Sequence, residues 1–158
     1  MREYTLTTKV RVLSPEELTP EENRLVEQAK EASYSSYSPY SHFCVGAALL
    51  LTNGETVCGS NQENASYPVG CCAERTAMHY AGARYPNIGI KTLAIAARGT
   101  DGQFTSEATA PCGMCRQALA EAEHRFGPIR ILLYCTEGVH CIDSVSELLP
   151  MTFTSESL

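Results

Sequence analysis

The sequence has no cluster of basic residues, no long apolar run and no second C-x-x-C, and each lack removes a class of protein. Twelve Lys and Arg stand against eighteen Asp and Glu, for a net charge of −6. Phosphate backbones are held by clustered Lys and Arg, so the balance argues against nucleic acid as a partner. No stretch approaches the roughly 18 apolar residues of a membrane span, which argues against a membrane role. Met1 to Thr5 lacks the apolar core of a secretion signal, and we expect a cytoplasmic protein. The eight cysteines are then expected to be mostly reduced, serving as metal ligands or small buried hydrophobes. A zinc ribbon would want a second C-x-x-C. No internal repeat or low-complexity segment is present.

What is present reads as one folded domain of 158 residues, 44% hydrophobic and 19% charged. Residues 4–12 alternate, with Tyr4, Leu6, Thr8, Val10 and Val12 on one side, which predicts a strand. It precedes everything else of note, so residues 1–17 are read as an N-terminal arm or extra strand and residues 18–158 as the main domain. Thr19-Pro20-Glu21-Glu22 is a helix start with an N-cap Thr, Pro at N1 and Glu at N3, and the helix is expected to run to about Tyr34. Strands are predicted over Val45–Leu51 and Thr56–Ser60, joined by Asn53-Gly54, the strongest short hairpin signal. Further strands are expected over Thr92–Ala97, Ile129–Tyr134 and Val139–Asp143, with helices from near Cys72 to Gly82 and from Gly113 to Phe126. The strands flanking the second of these helices should be parallel, joined by a right-handed crossover. Thr136-Glu137-Gly138 is too short for a crossover, so the next strand should return antiparallel. The expected fold class is α/β, a mixed five-stranded sheet with helices on both faces. Cys44, Cys58, Cys135 and Cys141 lie in or beside apolar strands and are expected in its core.

The chain is organised around two motifs, Cys71-Cys72-Ala73-Glu74-Arg75 and Pro111-Cys112-Gly113-Met114-Cys115. The C-x-x-C spacing brings the sulfurs of Cys112 and Cys115 to one ion, and Cys72 can supply a third. Cys72 is preferred over Cys71 because it alone stands two residues before Glu74. Three protein ligands leave the fourth position of a tetrahedral zinc open, which marks a catalytic site. Such an ion acidifies bound water, and Glu74 is placed to move the proton. Both motifs open helices, where free N–H groups and the helix dipole favour thiolate over thiol. Three thiolates overbalance Zn²⁺ by one charge, and Arg75 is placed to hydrogen-bond the sulfurs and draw that charge off. A redox C-x-x-C would explain neither Cys72 nor Glu74.

At this point the sequence resembles the small, homotetrameric, zinc-dependent cytidine deaminases of pyrimidine salvage. The matching runs are Tyr37–Phe43, Val45–Leu49, Asn61 with Glu63–Tyr67, Cys72–Arg75, Pro111–Gly113 with Cys115–Gln117, and Leu148–Pro150 with Phe153. They cover roughly residues 20 to 158. The resemblance implies a three-layer α-β-α deaminase fold and hydrolysis of cytidine and 2′-deoxycytidine to uridine and 2′-deoxyuridine plus ammonia. Zinc-activated water would attack, with Glu74 as the proton shuttle and one Zn²⁺ per chain on Cys72, Cys112 and Cys115. Asn61 and Glu63 would hold the ribose 3′-hydroxyl, and the Ala73 backbone would contact the base. Phe43 and Tyr67 would line the substrate pocket, with Arg75 behind the sulfurs. Phe153 would reach into a neighbouring subunit's site, so that a homotetramer completes its own sites.

Two other readings follow from the same motifs. A relative acting on an aminated nucleoside antibiotic of the blasticidin S type shares the zinc residues, but Asn61 with Glu63–Tyr67 suits a ribonucleoside better. A non-catalytic zinc module would need a fourth ligand and would have no use for a free Glu74.

Overall fold

The computed structural model describes residues 1–158. Thr19 accepts from the Glu22 amide and the Glu22 side chain returns to the Thr19 amide, so helix α1, Pro20–Ala32, starts where the capping residues demand. It tightens into a 3₁₀ turn at Ser33–Ser35. The strands after it are β2, Phe43–Leu51, and β3, Thr56–Ser60, joined through a turn in which Gly54 takes φ +86°. Helix α2, Ala73–Arg84, runs through Gly82 and past its expected end. Strand β4, Ile90–Gly99, helix α3, Gly113–Phe126, and strands β5, Arg130–Cys135, and β6, Gly138–Ile142, complete the order.

The sheet has six strands rather than the expected five, because Arg11–Leu13 (β1) pairs antiparallel with β6 at the edge. Its order is β1-β6-β5-β4-β2-β3. The predicted strand over residues 4–12 is thereby corrected to a short one. Partner β6 is only 5 residues long, so the ladder runs out and residues 4–10 stay exposed. Strands β4 and β5 are parallel, and β6 returns antiparallel, as the connection lengths require.

Alternation divides the buried strand residues between two layers. Leu49, Leu93, Ile95, Ile131 and Leu133 pack towards α2 and α3, with Ala73, Ala77 and Leu119. Ala48, Leu50, Ala94, Ala96 and Leu132 pack on the other face with Leu25, Val26 and Ala29 of α1. Small residues let the helices sit close. A Cβ on Gly59 would lie 2.6 Å from Ala77 N and 2.7 Å from Ala73 O, so only glycine lets α2 reach β3. Cys44, Cys135 and Cys141 are buried as expected, but Cys58 is exposed. It alternates outward between Val57 and Gly59 on edge strand β3.

Candidate active site

The two motif helices converge end to end on one cluster. Cys72 is the N-cap of α2, and Cys112 is the N-cap of α3, with Cys115 one turn inside. Neither N-cap side chain bonds the backbone of its own helix, which leaves the helix-end N–H groups free to act on what lies between them. Cys72 Sγ is 3.7 Å from Cys112 Sγ, and Cys112 Sγ is 3.5 Å from Cys115 Sγ. All three sulfurs lie within 4.8 Å of one another. Zinc–sulfur bonds of about 2.3 Å at tetrahedral angles require sulfurs about 3.8 Å apart, so the triad fits one zinc ion.

The close sulfurs set Cys72 and Cys115 apart. Donation from the Cys115 thiol, with help from Cys112 and Arg75, outweighs burial and lowers Cys72 to about 5. Cys115 is pushed the opposite way by holding that proton and by its burial. Glu74 is 4% exposed, and burial pushes its carboxyl above the usual range. The negative charge of Cys72 adds to the rise, while the Cys115 thiol and Arg75 oppose it. A bound cation would reverse the sign of the local field and draw protons off all of these groups. Arg75 Nη2 donates to Gly70 O at 3.3 Å and its buried Nε has no partner. Its guanidinium beside the sulfur helps to hold Cys72 low.

A cavity of about 520 Å³ opens beside Cys72. It is lined by Tyr40, Ser41, Asn61, Gln62, Glu63, Asn64, Tyr67, Gly70, Cys71, Cys72, Arg75 and Met114. Backbone pairing explains why these segments meet. Gln62 and Cys71 exchange both amide bonds, at 2.8 and 2.9 Å, so the segment with Asn61 and Glu63 is bolted to the metal motif. Asn61 Oδ1 accepts from Val45 N at 2.8 Å and from Ser36 Oγ at 2.6 Å, and its Nδ2 donates to Phe43 O at 2.9 Å. Glu63 Oε2 accepts from the amides of Tyr40 and Ser41 at 2.9 and 3.3 Å. The Ser41 hydroxyl and these amides hold Glu63 below the ordinary carboxylate range.

Not every expected residue joins this cavity within one chain. Ala73 is fully buried at the first turn of α2, and Phe43, 37% exposed, lies at the start of β2 outside the cavity lining. Tyr67 does line the cavity, packing edge-on against Tyr40 at 6.2 Å and otherwise exposed. Phe153 is 60% exposed and lines a separate groove of about 620 Å³ with Arg75, His79 and Met114. Three further contributors have no role assigned from the sequence. Met114 lines both cavities. Arg116 donates to Leu148 O and Gln117 to Phe153 O, at 2.8 and 2.9 Å, and so they anchor the segment carrying Phe153. Their signal was their place in Cys115-Arg116-Gln117, directly after the last metal ligand.

The fold and the three-sulfur centre with its buried carboxylate define a zinc hydrolase of the α/β class. The chain belongs to the cytidine and deoxycytidylate deaminase zinc-binding family, whose model matches residues 19–127. It is 38% identical over 136 residues to a cytidine deaminase of Halalkalibacterium halodurans, covering 85% of this chain and 95% of that one. It is likewise 38% identical over 138 residues to a cytidine deaminase of Sporosarcina psychrophila, covering 85% and 93%. Among solved structures it is similar to the cytidine deaminase of Burkholderia pseudomallei, with a TM-score of 0.72 at 36% identity over 86% of this chain and all of that one. No helix is long and apolar enough to cross a membrane.

Proposed function

We propose that this chain hydrolyses cytidine and 2′-deoxycytidine to the corresponding uridines and ammonia, in the cytoplasm, as a step of pyrimidine salvage. The observation that carries the reading is Glu74, a carboxyl buried to 4% exposure against a three-sulfur centre. A structural centre would gain nothing from that burial, which costs stability whenever the group ionises. When bound, zinc supplies a Lewis-acidic position that lowers the pKa of water. Glu74 would withdraw one proton from the attacking water as the water oxygen bonds to C4 of the base, and deliver it to N3. It would then take the remaining hydroxyl proton and pass it to the amino group, so that the C4–N bond breaks, the C4 carbonyl forms, and ammonia leaves.

Asn61 and Glu63 are read as the ribose contact, holding the 3′-hydroxyl. Asn61 retains one N–H donor and Glu63 retains Oε1 as an acceptor, a pair matched to a hydroxyl. A 3′-phosphate would be repelled by Glu63, so the pair favours a free 3′-hydroxyl. Tyr67 and Phe43 are assigned to the substrate pocket, and the Ala73 backbone to the base. Arg75 is assigned to offset the thiolate charge. Phe153, exposed on a tail tied to α3, is assigned to a neighbouring subunit's site in a homotetramer.

The test is loss of ultraviolet absorbance on mixing zinc-quantified protein with cytidine, 2′-deoxycytidine, CMP and blasticidin S. Fast loss with the two nucleosides alone is expected. Turnover of blasticidin S alone would move the substrate to the antibiotic, and silence on all four at full zinc loading would point to a non-catalytic module.

A further inference from the structure

The segment bearing Asn61 and Glu63 is laid against the loop that follows α1. Tyr37 N donates to Asn61 O at 3.0 Å, and Glu63 N donates to Tyr37 O at 2.8 Å. Ser60 Oγ and Gln62 Nε2 both donate to Ser35 O, at 3.0 and 3.2 Å. All four end on backbone carbonyls and none touches the side-chain polar atoms of Asn61 or Glu63. Ser36 differs. Its hydroxyl donates to Asn61 Oδ1 at 2.6 Å.

A carboxamide oxygen has two lone pairs. Val45 N occupies one in Asn61 and Ser36 occupies the other. Val45 N–H and Phe43 C=O together fix which way the amide faces, because a flipped amide would set N–H against N–H and oxygen against oxygen. Ser36 therefore decides what the amide has left over. With both lone pairs filled, Asn61 offers the cavity only a second Nδ2–H. The donation to Oδ1 also polarises the amide and makes that N–H a better donor.

We propose that Ser36 is a positioning residue for sugar recognition: by filling the second lone pair of Asn61 Oδ1 it restricts Asn61 to donation, so that Asn61 and Glu63 together select a free hydroxyl. The proposal rests on the reading of Asn61 and Glu63 as the ribose contact. Without Ser36, the freed lone pair competes with Glu63 Oε1 for the single proton of the substrate hydroxyl, and the Nδ2–H donor weakens. The sugar contact loosens while the metal centre, built from other segments, stays as it was.

The experiment compares kcat/KM for cytidine and 3′-deoxycytidine in zinc-loaded wild type, Ser36→Ala, Ser36→Cys, Ser36→Thr and Asn61→Ala. Loss of one hydrogen bond of this kind is expected to lower the cytidine preference roughly three- to ten-fold in Ser36→Ala, through KM rather than kcat. Ser36→Cys, near in size but a poor donor, should fall with it, and decides the matter if the alanine variant folds poorly. Ser36→Thr, which keeps the hydroxyl, should keep the preference. An unchanged preference in the alanine and cysteine variants, with collapse in Asn61→Ala, overturns the role of Ser36. An unchanged preference in Asn61→Ala overturns instead the sugar reading beneath it.

Discussion

Replacing Glu74 by Gln separates the chemistry of the carboxylate from its packing. The two side chains have nearly the same shape, and residue 74 is 4% exposed, so the buried volume is conserved. A positioned general acid or base contributes about 10²–10⁴-fold to a rate. Glu74 is assigned both the withdrawal of a proton and its delivery, so the loss should lie near the top of that range. About 10⁴-fold in kcat corresponds to about 5.5 kcal/mol at 1.36 kcal/mol per decade. Zinc content should stay near one ion per chain, because the three sulfurs are untouched. Stability provides a second, independent readout. Burial raises the Glu74 carboxyl in the metal-free protein, and the Cys72 charge adds to it. A carboxyl whose folded pKa exceeds its unfolded value of about 4.3 contributes full stability below that pH. The contribution is lost as pH rises through the folded value. Zinc-free Glu74→Gln has nothing to ionise there, so at neutral pH it should melt at or above the temperature of zinc-free wild type. The gap should close in acid. Absorbance kinetics, metal analysis and thermal unfolding across pH measure all three quantities. Retention of more than about 1% of kcat at full zinc loading would refute the proton-shuttle role. A Gln variant that melts lower than wild type at neutral pH would refute the burial argument.

Cys72→Ala should lose both zinc and activity, since two sulfurs cannot hold the ion, whereas Cys71→Ala should keep both; metal analysis with the absorbance assay distinguishes them. Gly59→Ala should destabilise by about 1–3 kcal/mol or more, because its methyl would meet the backbone of α2 at 2.6 Å. Since α2 starts at the ligand Cys72, zinc affinity should fall with Tm in a chelator titration. Glu22→Gln should reduce the protein's loss of stability in acid. Burial alone would raise the Glu22 carboxyl, but the Thr19 amide and hydroxyl and the Arg130 guanidinium, 2.5 Å away, together hold it low. Its contribution is therefore present above the ordinary Glu range and lost as pH falls through the depressed value. Urea unfolding at neutral and acid pH should show a smaller difference in the variant than in wild type.

The metal centre was legible because its geometry is local. An N-cap and the residue three positions on face the same side of a helix's first turn, so C-x-x-C at the start of α3 carries its own distance. Thr19-Pro20 and Gly127 likewise mark helix ends through chemistry confined to a few residues. Features that failed to show all depend on a partner distant in the chain. Strand β1 is short because β6 is short, and no pattern within residues 4–12 reports the length of a strand 130 residues away. Cys58 reads as core from its apolar surroundings, yet alternation on an edge strand sends every second side chain outward. The oxygen of Asn61 is filled by Val45 and by Ser36, 25 positions before it, so its polarity marked a binding residue without revealing that only a donor remained. Hydrogen bonding, unlike hydrophobic periodicity, leaves no repeat in a sequence. The ligands of the ion could therefore be read from spacing, while the valence of the groups around the substrate had to be counted bond by bond in the fold.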